Sequence, residues 1–136
     1  MKLFIDTNIV LDLLQYREPW VQDTLVLFQM AKDKEVELIV TDLTFVNVVY
    51  IAGKNYDKKK LHETLVGLKK LVIVVPIGDA CIEQALNGDF VDFEDTVQYF
   101  AAKREKVDLI ISRDVKGLKM SDIPVMSVSD FLDKFL

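Results

Sequence analysis

The chain has 136 residues, of which 51% are hydrophobic and 29% charged, and its formal net charge is -5. This length predicts one domain spanning residues 1–136 with a proper buried core, and the composition excludes long disordered tracts. The acidic balance excludes a protein that grips nucleic acid by overall charge, so an RNA or DNA partner must be held locally or through a bound cation.

In chain order, the opening Leu3-Phe4-Ile5 is too short an apolar run for a signal peptide. No apolar stretch reaches the ~20 residues that span a bilayer. A cytosolic protein without membrane contact is expected. Apolar runs at 3–5, 38–40, 72–75 and 109–111, with a weaker one at 125–126, read as strands. They are continuous rather than alternating, as in strands covered on both faces. Helical patterns lie between them at 9–14, 20–34, 42–54, 57–70, 78–87, 93–104 and 128–135. Strands alternating with helices predict an α/β fold, a parallel sheet in a three-layer α/β/α sandwich.

Helix punctuation agrees with these limits. Asp57 precedes a helical run, and Ser127-Val128-Ser129-Asp130 is close to a capping box. Asp92, Glu94 and Asp95 crowd one helix start, where the dipole tolerates negative charge, and Gly53 and Gly88 suit helix ends. Lysines cluster at 58–60, 69–70 and 103–106 and read as solvated helix faces. With Cys81 the only cysteine, neither an internal disulfide nor a cysteine metal site can form; His62, the only histidine, lies in a lysine-rich stretch that predicts a surface position.

Ligand sites of open parallel sheets lie beyond the carboxyl ends of the strands. The first predicted strand is followed by Asp6-Thr7-Asn8, the second by Thr41-Asp42 and a helix carrying Asn47, and the fourth by Ser112-Arg113-Asp114. If the helix at 93–104 runs antiparallel to the strand at 109–111, its first turn returns Asp92, Glu94 and Asp95 to the same edge. Asp6, Asp95 and Asp114 could then meet in one cleft. Two like charges ~4 Å apart repel by about 4 kcal/mol at an effective dielectric near 20. Such a cleft must hold protons or a cation, and oxygen-only ligands favour Mg²⁺ or Mn²⁺ over Zn²⁺. The plainer alternative makes each acid a separate helix cap or turn residue.

Two other acidic α/β sites fail on the same residues. An aspartyl-nucleophile phosphatase wants Asp-x-Asp after the first strand, where Asn8 stands in the second Asp position. A phospho-acceptor receiver domain wants an Asp after the third strand, where Val75-Pro76-Ile77 has none.

The segments Phe4-Ile5-Asp6-Thr7-Asn8-Ile9-Val10-Leu11-Asp12, Phe93-Glu94-Asp95-Thr96-Val97-Gln98 and Ile110-Ile111-Ser112-Arg113-Asp114 resemble, in order, three motifs of PIN domains, a likeness extending from Lys2 to about Phe131. The resemblance implies a five-stranded parallel sheet and a metal-dependent nuclease, most often an endoribonuclease; many small bacterial members are similar to the VapC-type toxins of toxin–antitoxin pairs. It assigns Mg²⁺ or Mn²⁺ to Asp6, Asp95 and Asp114, with Thr7, Asn8, Asn47 and Ser112 bracing the carboxylates. Arg113 is a candidate contact for a substrate phosphate. RNA is the implied substrate, an antitoxin protein an implied partner, and a homodimer an implied assembly. Two positions depart from the pattern. Asn47 stands where many PIN domains place a Glu, so Asp92 or Glu94 would supply the missing charge, as in a subgroup with this Asn and a segment like 92–95. Gly117-Leu118 replaces an Asp-Phe common after the last motif. Asn47 also motivates an alternative, a PIN fold with weakened catalysis that binds RNA or a protein, and Trp20, Phe28 and Tyr50 are candidate exposed apolar groups for a protein partner.

Overall fold

The computed structural model describes residues 1–89 and 91–136. Strand β1 (Lys2–Ile5) leads into α1 (Thr7–Leu14) and α2 (Val21–Lys32), then β2 (Glu37–Thr41), α3 (Asp42–Ala52) and α4 (Lys58–Leu71). Next come β3 (Val72–Val75), α5 (Gly78–Asn87), α6 (Phe93–Arg104), β4 (Leu109–Ile111), β5 (Val125–Met126) and α7 (Val128–Phe135). The strands form one parallel five-stranded sheet in the order β3-β2-β1-β4-β5. The expected three-layer α/β fold is therefore the observed one.

The strands are apolar throughout because both faces are packed. Leu3, Ile5, Leu38, Val40 and Ile111 point into a core shared with residues of α1, α2, α3, α4 and α7. Phe4, Ile39 and Ile110 point the other way, into a core shared with α5 and α6. The register sets Phe4 beside Ile39 and Ile110, so alternation along each strand sends like residues to like faces. Phe28 belongs to the first core, whereas Trp20 and Tyr50 are exposed.

Boundary differences from the sequence reading have local causes. Helix α1 starts at Thr7 rather than 9 because the Asp6 side chain accepts the Thr7 N–H and caps it. Helix α3 stops at Ala52, and Gly53–Asn55 tightens into a 3₁₀ turn. Ser127 accepts the Asp130 N–H, the half of a capping box the sequence suggested. The sheet order reverses between β1 and β4, a topological switch point where the flanking loops part and leave a crevice.

Candidate functional site

Asp6 leaves β1 at that switch point, its backbone N–H continuing the sheet ladder to the Ile111 carbonyl at 3.0 Å. Its carboxylate is 9% exposed and well held. Oδ1 accepts from the Thr7 N–H at 2.7 Å; Oδ2 accepts from the Ser112 hydroxyl at 2.6 Å and from the Asn8 amide at 3.3 Å. Ser112, the first residue after β4, also accepts the Asp114 N–H at 3.0 Å, so one hydroxyl ties the first and last acids to each other. The Asn8 amide oxygen accepts the Arg113 N–H at 3.4 Å, a second tie between the same two loops.

Helix α6 packs over this edge with its N-terminus toward Asp6. Asp95 and Gln98 join Asp6, Phe4, Tyr99, Ile110 and Leu118 around one small crevice. Asp92 is spent partly as the α6 cap, accepting the Asp95 N–H at 2.9 Å. Glu94 Oε1 accepts from Asn47 Nδ2 at 3.2 Å and from the Thr7 hydroxyl at 3.4 Å. Asn47 thus faces the acids and holds one of them. Asp42, the other acid after a strand, serves elsewhere: its Oδ1 accepts from Leu43 N and Ile77 N, pinning the entry to α5.

Asp114 Oδ1 accepts the Gly117 N–H at 2.9 Å. A Cβ added at Gly117 would stand 2.3 Å from Asp114 Oδ2 and 2.8 Å from Cγ, which explains why this loop carries glycine. Gly117→Ala is expected to swing the Asp114 carboxylate off its donor and cost about 1 kcal/mol, the worth of one such hydrogen bond. An unchanged urea midpoint for the variant would show that the loop yields freely.

Electrostatics ties the group together. Burial raises the pKa of Asp6 above the usual carboxylate value; the Ser112 and Thr7 hydrogen bonds pull it down, while Asp114 and Asp92 push it up. Asp95 is pushed up to about 7, by burial first and then by Asp6, Asp92, Asp114 and Glu94. Between pH ~4 and ~7 the native protein therefore holds a proton at Asp95 that the unfolded chain releases. Stability of the protein in EDTA should fall as pH rises through this window, a trend that thermal melts from pH 5 to 8 would read and a flat or rising profile would refute.

The donors suit a hard divalent cation, being carboxylate and amide oxygens with no sulfur or imidazole among them. Among the described residues no three His, Cys, Asp or Glu side chains are already drawn into a coordinating group. The Asp114 carboxylate is turned to the Gly117 N–H.

Arg113 lies away from the acids. Its Nε is 3.0 Å from Oδ2 of Asp12, which has no exposed side-chain surface, and its guanidinium lies 3.9 Å from the centre of the Trp20 ring. Strand alternation explains the placement: Arg113 follows Leu109 and Ile111 toward the α1 face, opposite the face of Phe4 and Ile110. Arg113 is engaged by this ion pair, and a contact with a substrate phosphate would require it to leave Asp12. Sequence reasoning missed Asp12 as a buried anion, although an Asp inside the apolar stripe of α1 beside Ile9, Val10 and Leu11 was a usable signal. It also missed Thr41, Thr44 and Gln98, buried polar residues below the acid crevice.

Comparison with known proteins points one way. A family profile described as PIN domain matches residues 2–116. The chain is 29% identical over 139 aligned positions to the protein named Ribonuclease VapC1 of Aquifex aeolicus (strain VF5), covering 98% of this chain and 95% of that one. Its fold is similar to that in the crystal structure of FitAcB from Neisseria gonorrhoeae (TM-score 0.70, 16% identity, 93% of this chain and 98% of that one). It is also similar to that in VapBC2 from Rickettsia felis bound to a DNA fragment from their promoter (TM-score 0.66, 15% identity, 93% and 98%).

Proposed function

The chain belongs to the PIN domain family, and from that premise we propose that it is a metal-dependent endoribonuclease acting as the toxin of a toxin–antitoxin pair. The observation that carries the reading is the gathering of acids at the switch point: Asp6 and Asp95 line one crevice, and Asp92, Glu94 and Asp114 lie close enough to add to the effect of burial in raising the Asp95 pKa. Carboxylates crowded to that degree are poised to exchange a proton for a cation.

On this reading Asp6, Asp95 and Asp114 hold Mg²⁺ or Mn²⁺, and Glu94 or Asp92 contributes the charge that Asn47 lacks. When bound, the cation supplies an activated water and charge stabilisation on the phosphodiester. The protein's own contribution is orientation. Ser112, Asn8 and the Thr7 N–H fix both oxygens of Asp6, and Asn47 and Thr7 fix Glu94. The name Ribonuclease VapC1 carried by the relative supports RNA as the substrate. Calorimetric titration with Mn²⁺, paired with RNA cleavage in Mn²⁺ and in EDTA, tests the proposal; absence of Mn²⁺ uptake removes it.

Exposed Trp20, Val46 and Tyr50 offer apolar surface for a protein partner. A neighbouring reading frame for a small DNA-binding protein, whose product co-purifies and blocks cleavage, is the expected finding for the toxin assignment. Asn47 favours a second reading, a PIN module that binds RNA or protein with weakened catalysis. That module would retain RNA binding with no Mn²⁺ affinity dependent on Asp95.

A further inference from the structure

Below the acid crevice lies a group of polar side chains that face no solvent. Thr41, Thr44, Gln98 and Thr7 are 0%, 1%, 4% and 8% exposed and come from β2, α3, α6 and α1. Their contacts run in series: Thr41 Oγ1 to Gln98 Oε1 at 2.9 Å, Gln98 Nε2 to Thr44 Oγ1 at 3.1 Å, Thr44 Oγ1 to Thr7 Oγ1 at 3.0 Å. The last link, Thr7 Oγ1 to Glu94 Oε1, is 3.4 Å. Apolar side chains would fill this junction without the penalty that attends any unpartnered buried polar atom.

The direction of the series is set by its end. An ionised carboxylate can only accept. Thr7 donates its single hydroxyl proton to Glu94, which leaves Thr7 the acceptor in its contact with Thr44, where either hydroxyl has the geometry to donate. With its own proton committed, Thr44 must accept from the Gln98 amide nitrogen. The Gln98 oxygen then faces Thr41, which donates to it. Thr41 Oγ1 also lies 3.4 Å from Thr44 Oγ1, but the 2.9 Å link is the better acceptor for its proton. Each hydroxyl proton then has an acceptor, and one N–H of the Gln98 amide is used.

We propose that Thr44 and Gln98 are positioning residues, which act through this one-way series of hydrogen bonds to fix the Glu94 carboxylate at the acid crevice. The inference rests on the reading of Glu94 as part of the cation-facing acid set. An exposed glutamate ordinarily spreads over many rotamers, and ordering it on binding has an entropic cost. Here Thr7 and Asn47 both donate to Oε1, so the place of that oxygen is restricted before any cation arrives.

Isosteric Thr44→Val removes the middle hydroxyl, and Thr44→Ser keeps it. Mn²⁺ calorimetry is expected to show Thr44→Val weakened about tenfold or more, as for loss of residues that orient a ligand, with Thr44→Ser close to wild type. Gln98→Met, of similar volume and good helix propensity, is expected to behave like Thr44→Val. Added to Glu94→Gln, Thr44→Val should bring no further weakening, since both remove one arrangement. A folded Thr44→Val that binds Mn²⁺ like wild type, with only its melting temperature changed, would reduce the series to packing and overturn the proposal. A Glu94→Gln variant of unchanged affinity would overturn it from the other end. Failure of the wild type to take up Mn²⁺ is a different outcome, which removes the metal reading and this inference with it.

Discussion

On the proposed reading, Asp6→Asn is expected to lower metal-dependent RNA cleavage by roughly 10³-fold or more, because several kcal/mol of charge stabilisation would depend on the cation it would help to hold. The substitution is close to isosteric and leaves the Asp6 Oδ1 contact with the Thr7 N–H available. An amide NH₂ placed at Oδ2 would face the Asn8 donor and a Ser112 hydroxyl that already accepts from Asp114 N. Local geometry is therefore strained slightly while the fold is kept. The buried charge is also removed, and burial is the largest cause of the raised Asp6 pKa, so the variant in EDTA should be no less stable than wild type at pH 8. Mn²⁺ should raise the melting temperature of wild type and leave that of the variant unmoved. Equal cleavage by the two purified proteins would point to a contaminating nuclease and end the ribonuclease assignment.

The fold was legible because its causes are local and repetitive. Runs such as Leu38-Ile39-Val40 need cover on both sides, and only alternating helices on a parallel sheet supply it. The site was legible in part for the same reason: parallel strands end on one edge, so Asp6 and Ser112 had to be neighbours once β1 and β4 paired. That Asp95 returns to this edge depended on α6 running antiparallel to β4, which its length and the short connection allow but do not require. What stayed hidden depends on the face a side chain takes and on partners far away in the chain. Arg113 is next to Ser112 in sequence yet points through the sheet edge to Asp12, because alternation reverses at every residue. Thr44 and Gln98 look like ordinary helix-surface polar residues until α3 and α6 are seen to meet. Asn47 read both as a lost acid and as a brace for the carboxylates; the structure adds the partner, Glu94, to which its amide donates.

Arg113→Met is expected to destabilise the fold by about 3 kcal/mol, the lower end of the cost of removing one partner of a buried ion pair. Methionine keeps an unbranched apolar stem but deletes both the Asp12 ion pair and the guanidinium stacked on Trp20, so the double variant with Asp12→Leu is needed to separate the two. Asp12 would then retain, among the described residues, Arg17, whose Nη1 is 3.9 Å from Oδ1. Among the described residues neither Asp12 oxygen accepts a hydrogen bond, and none of them offers a donor to replace the guanidinium. Burial already raises the Asp12 pKa, with Arg113 and then Arg17 opposing it; without Arg113 it must rise further. The variant's native state then holds a proton that its unfolded state releases above the ordinary value of 3.8. Its stability relative to wild type should consequently worsen as pH increases from 5 to 8. Asp12→Leu combined with Arg113→Met should recover most of the loss, since an apolar pair avoids the desolvation that the ion pair must offset. Urea denaturation at two pH values reads all three expectations. A variant with a wild-type urea midpoint and a raised KM for RNA would instead return Arg113 to the substrate phosphate, and would require the guanidinium to leave Asp12 when RNA binds.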